Sequence, residues 1–165
     1  INWRDALELL RIWEYTGRVR RGYFIEGLSG AQFIRDKDFT MAMQAFEQPE
    51  SQLVWLPAID PAQPWGKILS HIPERSFINI PGSVVCFYTG VPVAVFEKKG
   101  RVLRLFEPEL AYRVLEAFVY EYDNKRVFPE VNRILIKEYP PEAVEALVKA
   151  GFMKEMQDYV RYRGR

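Results

Sequence analysis

The stretch GRVRRGYFIEGLSGAQFI, residues 17–34, decides how the rest of the chain is interpreted. It begins with three arginines in four positions and continues into an aromatic and apolar segment. The turn-forming residues at 27–30 separate this segment from a second short apolar run, residues 31–34. The pattern predicts a two-stranded antiparallel ribbon with a strongly basic first strand.

An amphipathic helix is predicted directly before the ribbon. Asn2 is a favoured N-cap, and Gly17 is typical of a helix C-terminus. A helix followed by a basic ribbon is typical of the end of a winged-helix domain. We therefore expect the C-terminal part of such a domain, a fold that mostly binds nucleic acid. The apolar stripe of the helix consists of Trp3, Ala6, Leu7, Leu10 and Trp13, and the opposite face of Arg4, Glu8, Arg11 and Tyr15.

The basic residues of this region are the first candidates for contact with nucleic acid. A period of two places Val19 and Arg21 on one side of the ribbon and Arg18 and Arg20 on the other. Arg18, Arg20 and Arg21 could bind phosphate oxygens, which need cationic donors and carry no sequence information. Arg11 on the helix joins them as a candidate, although a solvated helix face is the simpler interpretation of this residue alone.

Two aromatic side chains of the ribbon leave a choice between function and packing. Tyr23 and Phe33 could each stack on an exposed base. Their apolar neighbours favour a place in the core instead.

A short helix is predicted within Asp36–Glu47, with Asp38 as its cap. The polar segment that follows, residues 48–51, predicts a boundary between a domain at 1–48 and a domain at 49–165.

The second domain is predicted to contain an antiparallel meander and covering helices. The whole chain is therefore assigned to the α+β class, a partial winged helix followed by a meander or barrel-like body. The closing hairpin ends in a basic tail, Arg161, Arg163 and Arg165, which we expect to be solvated. The predicted strands are 53–59, 83–88, 91–97, 101–106 and 131–137, the helices are 108–124 and 140–151, with Val144, Leu147 and Val148 inward in the second, and the closing hairpin is 152–162.

A second basic cluster lies at the turn between two predicted strands. Lys98, Lys99 and Arg101 stand at the tip of a hairpin around Gly100. Charges at such a tip usually keep a protein soluble and its sheet edges apart. Contact with nucleic acid is the alternative interpretation of the same three residues.

The sequence contains few residues in patterns that carry chemistry. A phosphate-binding glycine loop, a nucleophile elbow and a spaced set of metal ligands are all missing from it, so no catalytic or cofactor-binding residue and no metal site is predicted. The single histidine, His71, is more often structural than catalytic in such a setting. Asp60, in the loop before Pro61, is the one catalytic candidate, and a turn stabilised by its own side chain is the preferred interpretation.

Composition limits the classes of partner. The 165 residues carry 23 basic and 22 acidic side chains, so any attraction to nucleic acid has to come from local patches. The apolar runs are too short for a membrane span. One cysteine, Cys86, suits a reducing compartment and predicts a cytoplasmic location. Because the chain starts at Ile1 and almost inside a helix, we expect it to be a piece of a longer protein.

Four segments are specific enough to compare with known families: GRVRRGYFIEGLSGAQFI at 17–34, AIDPAQPWG at 58–66, VPVAVFEKKGRVLRLFE at 91–107 and EALVKAGF at 145–152. Together they resemble the C-terminal region of the large helicase-related (Lhr) family of ATP-dependent superfamily 2 helicases. The resemblance extends over almost the whole chain and preserves the order of the segments. Gln63 stands where the family pattern leads us to expect asparagine, Trp65 where we expect tyrosine, and the interval from Gly66 to Ile80 is atypical.

The resemblance implies a protein that translocates on single-stranded DNA and unwinds duplexes, DNA–RNA hybrids included, in DNA repair. It implies that the motor domains precede this region, so that ATP and Mg²⁺ bind outside this chain and the chain itself has no cofactor. The expected partners are DNA, single-stranded or forked, or a DNA–RNA hybrid, the upstream helicase domains and another copy in a homo-oligomer, without a membrane.

Three functions remain open for the chain itself. The first is a non-catalytic accessory region that contacts DNA through the basic ribbon, which is the wing of the winged helix. The second is a glycosylase module, because the resemblance extends to a group of bacterial DNA glycosylases of similar fold. The paired glutamines of that group, with one residue between them, are not matched, since Gln44 and Gln48 are four apart. The third is a module for assembly that makes no contact with DNA.

Overall fold

A computed structural model describes residues 2–49 and 51–164, and the chain divides after residue 50 into two units. Ile1, Glu50 in the predicted polar break and Arg165 in the basic tail lie outside the described residues. The assignment of separate domains at 1–48 and 49–165 stays a prediction. Among the described residues, no helix is both long enough and apolar enough to cross a membrane.

The first unit consists of a helix, a ribbon and a second helix. The predicted helix and ribbon are confirmed, and Asn2 caps the first helix by accepting a hydrogen bond from the Arg4 amide at 3.1 Å. The cap predicted at Asp38 is wrong. The second helix already begins at Asp36, so Asp38 lies inside its first turn, where it pairs with Arg35. The elements are α1 (Trp3–Tyr15), β1 (Val19–Gly22), β2 (Gln32–Arg35) and α2 (Asp36–Glu47).

Backbone hydrogen bonds join the helices of this unit to the ribbon. The Arg18 amide donates to the Trp13 carbonyl at 2.8 Å, and the Asp36 amide donates to the Arg18 carbonyl at 2.9 Å. Arg18 therefore ties the end of α1 to the start of α2. Within residues 2–49, Val19 is the one buried side chain, so the backbone and polar contacts carry much of the local order.

An open antiparallel meander forms the first sheet of the second unit. Its strands are hydrogen-bonded in chain order, with a bulge between Cys86 and Phe87. The predicted meander is confirmed, and among the described residues the sheet stays open instead of closing into a barrel. Its strands are β3 (Leu53–Pro57), β4 (Val84–Tyr88), β5 (Val91–Glu97) and β6 (Val102–Leu105).

The long helix α3 (Ala111–Asp123) covers this sheet, as its apolar face predicts. Trp55 of β3 donates its indole N–H to the Val114 carbonyl at 3.2 Å. The Phe118 ring lies 4.1 Å from the Phe96 ring and 5.3 Å from the Trp55 ring, measured between centroids. These aromatic contacts form the centre of the hydrophobic core.

A second sheet and a short helix complete this unit. The strands are β7 (Arg133–Ile136), β8 (Met153–Glu155) and β9 (Asp158–Tyr162), in the order β7-β9-β8, and the helix is α4 (Val144–Lys149). Val148 is 57% exposed, so its predicted inward position is wrong. Leu147 takes the buried position, and the next residue of a helix lies about 100° further round.

The basic tail at the end of β9 is held against the protein, which contradicts the predicted solvated tail. Arg161 forms an ion pair with Asp123 at 2.7 Å. Arg163 donates to the carbonyls of Pro129 at 2.7 Å and Phe128 at 2.8 Å. The Arg163 guanidinium satisfies carbonyls in the loop after α3, and the Arg161 guanidinium balances a carboxylate at the end of α3. Charge counting alone does not indicate either use.

A short parallel bridge joins the two sheets of the second unit. The Leu103 amide donates to the Glu138 carbonyl at 2.8 Å, and the Lys137 amide donates to the Arg101 carbonyl at 2.8 Å. The turn between β5 and β6 is therefore fixed beside the residues that follow β7.

Candidate nucleic-acid interface

The ribbon of the first unit presents its arginines in two different ways. The register pairs Arg21 with Phe33 and Arg20 with Ile34, so these two arginines lie on opposite faces as the period of two predicts. Arg18 precedes the first strand and is exposed. The structure thus places the three candidate arginines within one small region but separates their side chains by face.

Arg20 is engaged inside the unit. Its Nε lies 2.6 Å from an Asp36 carboxylate oxygen, and its guanidinium lies 4.4 Å from the centre of the Phe39 ring. An arginine held by a carboxylate and a ring stabilises the packing of the ribbon on α2, and its charge is already partly balanced. Arg20 is therefore a weaker candidate for phosphate contact than its two neighbours.

Arg18 and Arg21 are exposed and, within residues 2–49, have no acidic partner within 4.0 Å. Arg11 on α1 is likewise exposed without such a partner in that range. Tyr23 is 82% exposed, so its predicted place in the core is wrong, whereas Phe33 is half-buried. The ribbon thus offers cations and the exposed ring of Tyr23, the two kinds of group that contact nucleic acid.

Gln32 fixes the turn that carries Tyr23. Its side-chain oxygen accepts hydrogen bonds from the Phe24 and Ile25 amides, both at 2.8 Å, and its amide donates to the Ile25 carbonyl at 3.1 Å. A polar side chain at the start of the second strand gives no signal in a hydrophobic pattern. The role of Gln32 is therefore visible only in the folded chain.

The cluster Lys98, Lys99 and Arg101 does not lie on a freely projecting tip. The Lys99 amide donates to the Gly82 carbonyl at 2.8 Å, and Lys98 lies 3.7 Å from Glu138. Gly100 is buried, and a Cβ there would lie 2.9 Å from Ile134 of β7. All three cationic side chains remain exposed around this anchored turn.

Asp60 is held in the turn that the sequence favours. One carboxylate oxygen accepts a hydrogen bond from the Ala62 amide at 2.8 Å, and the Asp60 carbonyl accepts one from Lys67 Nζ at 2.6 Å. Asp60 is half-buried, and its second carboxylate oxygen makes no hydrogen bond to the described residues. The carboxylate is thus oriented while one oxygen stays open to solvent.

A polar network fixes the loop around Asp60. Buried Gln63 donates to the Ala58 carbonyl and to the Asn79 side chain, both at 2.9 Å. Asn79 donates to the Trp65 carbonyl at 3.1 Å. The residues at 63 and 65, where the sequence departs from the expected family pattern, are therefore both part of the loop's internal support.

The side chains with nucleophilic or metal-binding potential are placed for packing. His71 packs edge-on against Phe77 at 4.6 Å and closely against Gly66. Burial raises the pKa of the Cys86 thiol well above its usual range, because the charged thiolate is disfavoured in the core. The described part of the chain holds no cluster of three metal-ligating side chains.

Comparison with known proteins places this architecture in a family. Residues 1–53 match the family model described as the winged-helix domain of the large helicase-related protein. The chain is 30% identical over 166 residues to "Lhr helicase/uracil glycosylase" of Escherichia coli (strain K12), a match that covers 90% of this chain and 10% of that protein. It is 35% identical over 112 residues to "Lhr helicase/ probable uracil glycosylase" of Mycolicibacterium smegmatis, which covers 60% of this chain and 7% of that protein.

The match therefore spans a tenth or less of the length of these relatives. The order of the four segments, the ribbon that follows α1 and the sequence identity to these relatives all indicate the same family. The chain belongs to the large helicase-related (Lhr) family and represents a C-terminal region of it.

Proposed function

We propose that this chain is an accessory, nucleic-acid-binding region of an ATP-dependent DNA repair helicase. The observation that carries the proposal is the ribbon, on which Arg18 and Arg21 are exposed and free of acidic partners within residues 2–49. Exposed guanidinium groups bind phosphate oxygens without reading sequence, which suits a protein that has to hold DNA of any sequence.

The residues divide into contact and support in this function. Arg18 and Arg21 contact phosphates, and Arg11 adds a third cation from α1. Arg20 holds the ribbon on α2 through Asp36 and Phe39. The substrate is single-stranded or forked DNA or a DNA–RNA hybrid. ATP and Mg²⁺ bind to motor domains elsewhere in the protein, which acts in the cytoplasm and has the capacity to assemble into homo-oligomers.

The test is fluorescence anisotropy of the chain with labelled single-stranded, duplex and forked DNA at about 50 and 200 mM salt. Each lost phosphate contact reduces the slope of log affinity against log salt by about 0.7–0.9. We expect Arg18→Ala with Arg21→Ala to reduce the slope by about 1.4–1.8 on all sequences alike. Lys125→Ala with Lys154→Ala removes the same charge from exposed residues of the second unit and serves as the control. An unchanged slope in the arginine variant contradicts the wing contact.

Uracil excision is a second candidate function, because both relatives carry it in their names. The oriented, half-buried Asp60 carboxylate is the observation that favours it. In this reaction Asp60 accepts a proton from a water molecule, the water oxygen attacks the sugar C1′, and the bond from C1′ to the uracil nitrogen breaks with its electron pair going to the base.

The substitution Asp60→Asn tests this candidate, because its amide oxygen still accepts the Ala62 hydrogen bond but accepts a proton poorly. We expect loss of uracil release from single-stranded DNA while DNA affinity and melting temperature stay close to those of the unchanged chain. Release that continues at the original rate in the asparagine variant excludes Asp60 as the base.

A further inference from the structure

Cations from separate elements of the second unit line one groove. Lys98, Lys99 and Arg101 come from the turn between β5 and β6, and Arg133 comes from β7. The groove has a volume of about 620 Å³, and its other walls are Pro81, Val131 and Leu135. It therefore combines four cationic side chains with an apolar surface.

The backbone of the turn fixes where the lysines stand. Lys98, Lys99 and Gly100 have φ values of 52°, 56° and 88°, three successive left-handed residues of which two carry a side chain. Residues other than glycine rarely adopt this conformation, and it persists where the surroundings over-determine it. The hydrogen bond from Lys99 to Gly82 and the contact of Gly100 with Ile134 supply that constraint. A charge that only improves solubility needs no such fixed position.

The groove keeps an excess of positive charge. Two carboxylates face it, since Glu138 lies 3.7 Å from Lys98 and Glu155 lies 3.0 Å from Arg133. Both ion pairs are exposed to water, so they contribute little and can exchange for phosphate oxygens. Within residues 51–164, Lys99 and Arg101 have no carboxylate within 4.0 Å.

An exposed aromatic ring lies next to the groove. Tyr162 of β9 is directly opposite Arg133 in the register, its ring centre is 5.7 Å from the Arg133 guanidinium, and it is 53% exposed. Phosphate contacts alone need only cations, whereas bases that are free of a duplex stack on aromatic rings and lie on apolar surface. This arrangement therefore fits a single strand better than the outside of a duplex.

On this basis, and resting on the proposed function, we infer that the groove is a second nucleic-acid site, specific for single strands. The phosphates of the strand lie along Lys98, Lys99, Arg101 and Arg133, and one base stacks on Tyr162. Nothing in this contact reads the identity of the base. The ribbon and the groove are thus two separate places on the chain where nucleic acid is held.

The first experiment measures anisotropy of the whole chain with oligo-dT and with a duplex of equal length, at about 50 and 200 mM salt. We expect Lys99→Gln with Arg101→Gln to weaken oligo-dT binding about tenfold at the lower salt and to reduce the salt slope by about 1.4. The matched control is Lys125→Gln with Lys154→Gln, which removes equal charge outside the groove. Lys125 is exposed with a φ of 59°, so it also reproduces the left-handed backbone of Lys99.

A second pair of variants tests the aromatic ring. We expect Tyr162→Leu to weaken oligo-dT binding about fivefold or more and to leave duplex binding unchanged, because only an unpaired base can stack there. Tyr162→Phe keeps the ring and should bind oligo-dT like the unchanged chain. Circular dichroism melting of every variant confirms that the second unit is folded.

Three outcomes overturn the inference. Groove variants that bind oligo-dT as the control does exclude the site, and a loss in the Arg18/Arg21 variant then leaves the proposed function intact. Equal losses on duplex and single strand, with no effect of Tyr162→Leu, exclude the preference for single strands. A chain that binds neither oligo-dT nor the duplex contradicts both the groove and the wing. Loss in the groove variants, with the wing variants unaffected, supports the groove and contradicts the wing.

Discussion

The anchoring of the turn between β5 and β6 can be tested through one glycine. Gly100 has a φ of +88°, and a Cβ at this position would lie 2.9 Å from Ile134 Cδ1 and 3.0 Å from Ile134 Cγ2. Gly90, in the preceding hairpin of the same sheet, has a φ of +83° and nothing within 4 Å of such a Cβ. Alanine at either position has the same unfavourable left-handed backbone. Its Cβ collides with a neighbouring side chain only at Gly100.

The expected loss in the free energy of unfolding has two contributions, one from the backbone and one from side-chain packing. Left-handed backbone costs a residue with a Cβ about 1–2 kcal/mol, which is the whole effect expected for Gly90→Ala. Overpacking against Ile134 adds about 1–3 kcal/mol for Gly100→Ala. The expected difference between the two variants in the free energy of unfolding is therefore about 1–3 kcal/mol.

Urea unfolding followed by circular dichroism measures this difference, provided that the slope against urea is the same in both variants. Adding Ile134→Val to Gly100→Ala removes the Cδ1 methyl and should restore part of the loss, a coupling that a double-mutant cycle isolates. If the two glycine variants differ by less than about 0.5 kcal/mol, the turn is not packed on β7 as described, because ordinary error reaches that size.

Three further perturbations test the second unit. Trp55→Phe removes the indole hydrogen bond to the Val114 carbonyl, which keeps its helical partner, and should lower the free energy of unfolding in urea by about 0.5–1.5 kcal/mol. Gln63→Ala breaks the contacts to Ala58 and Asn79 and should cost a similar amount, about 1–3 kcal/mol, in the same assay; an unchanged midpoint contradicts the network. Burial raises the pKa of Cys86 in the folded state, so the folded chain holds its thiol proton while the unfolded chain loses it above about pH 8.5. Stability should therefore fall by up to about 1.4 kcal/mol per pH unit above that value, and Cys86→Ala should remove this component.

The fold follows largely from periodicity and turn chemistry. The apolar runs and turn residues of the meander predict β4, β5 and β6 to within a residue or two, because each strand pairs with its neighbour in the chain. The stripe on α3 predicts its buried face, since one helix covers one sheet. Local pattern is sufficient where partners are close in sequence.

Contacts between distant residues account for what the sequence analysis missed or misplaced. Arg133 lies 32 or more positions after the turn whose groove it lines, and no spacing rule relates the two. Arg20 and Arg21 are neighbours of identical chemistry, and only the position of Asp36 and Phe39 shows that Arg20 is engaged. The role of a polar side chain depends on the charge that folding places opposite it, and composition does not encode that position.

The bridge between the two sheets has a consequence for self-association. A strand at the border of a sheet is a template on which another chain can pair. Residues 137–138 occupy the outer border of β6, through the bonds of Arg101 and Leu103. Growth of this sheet by an added strand is thereby directed to β3, where Pro57 lacks an amide hydrogen to donate. This sheet is thus protected against an added strand at one border by the chain itself and at the other by a proline.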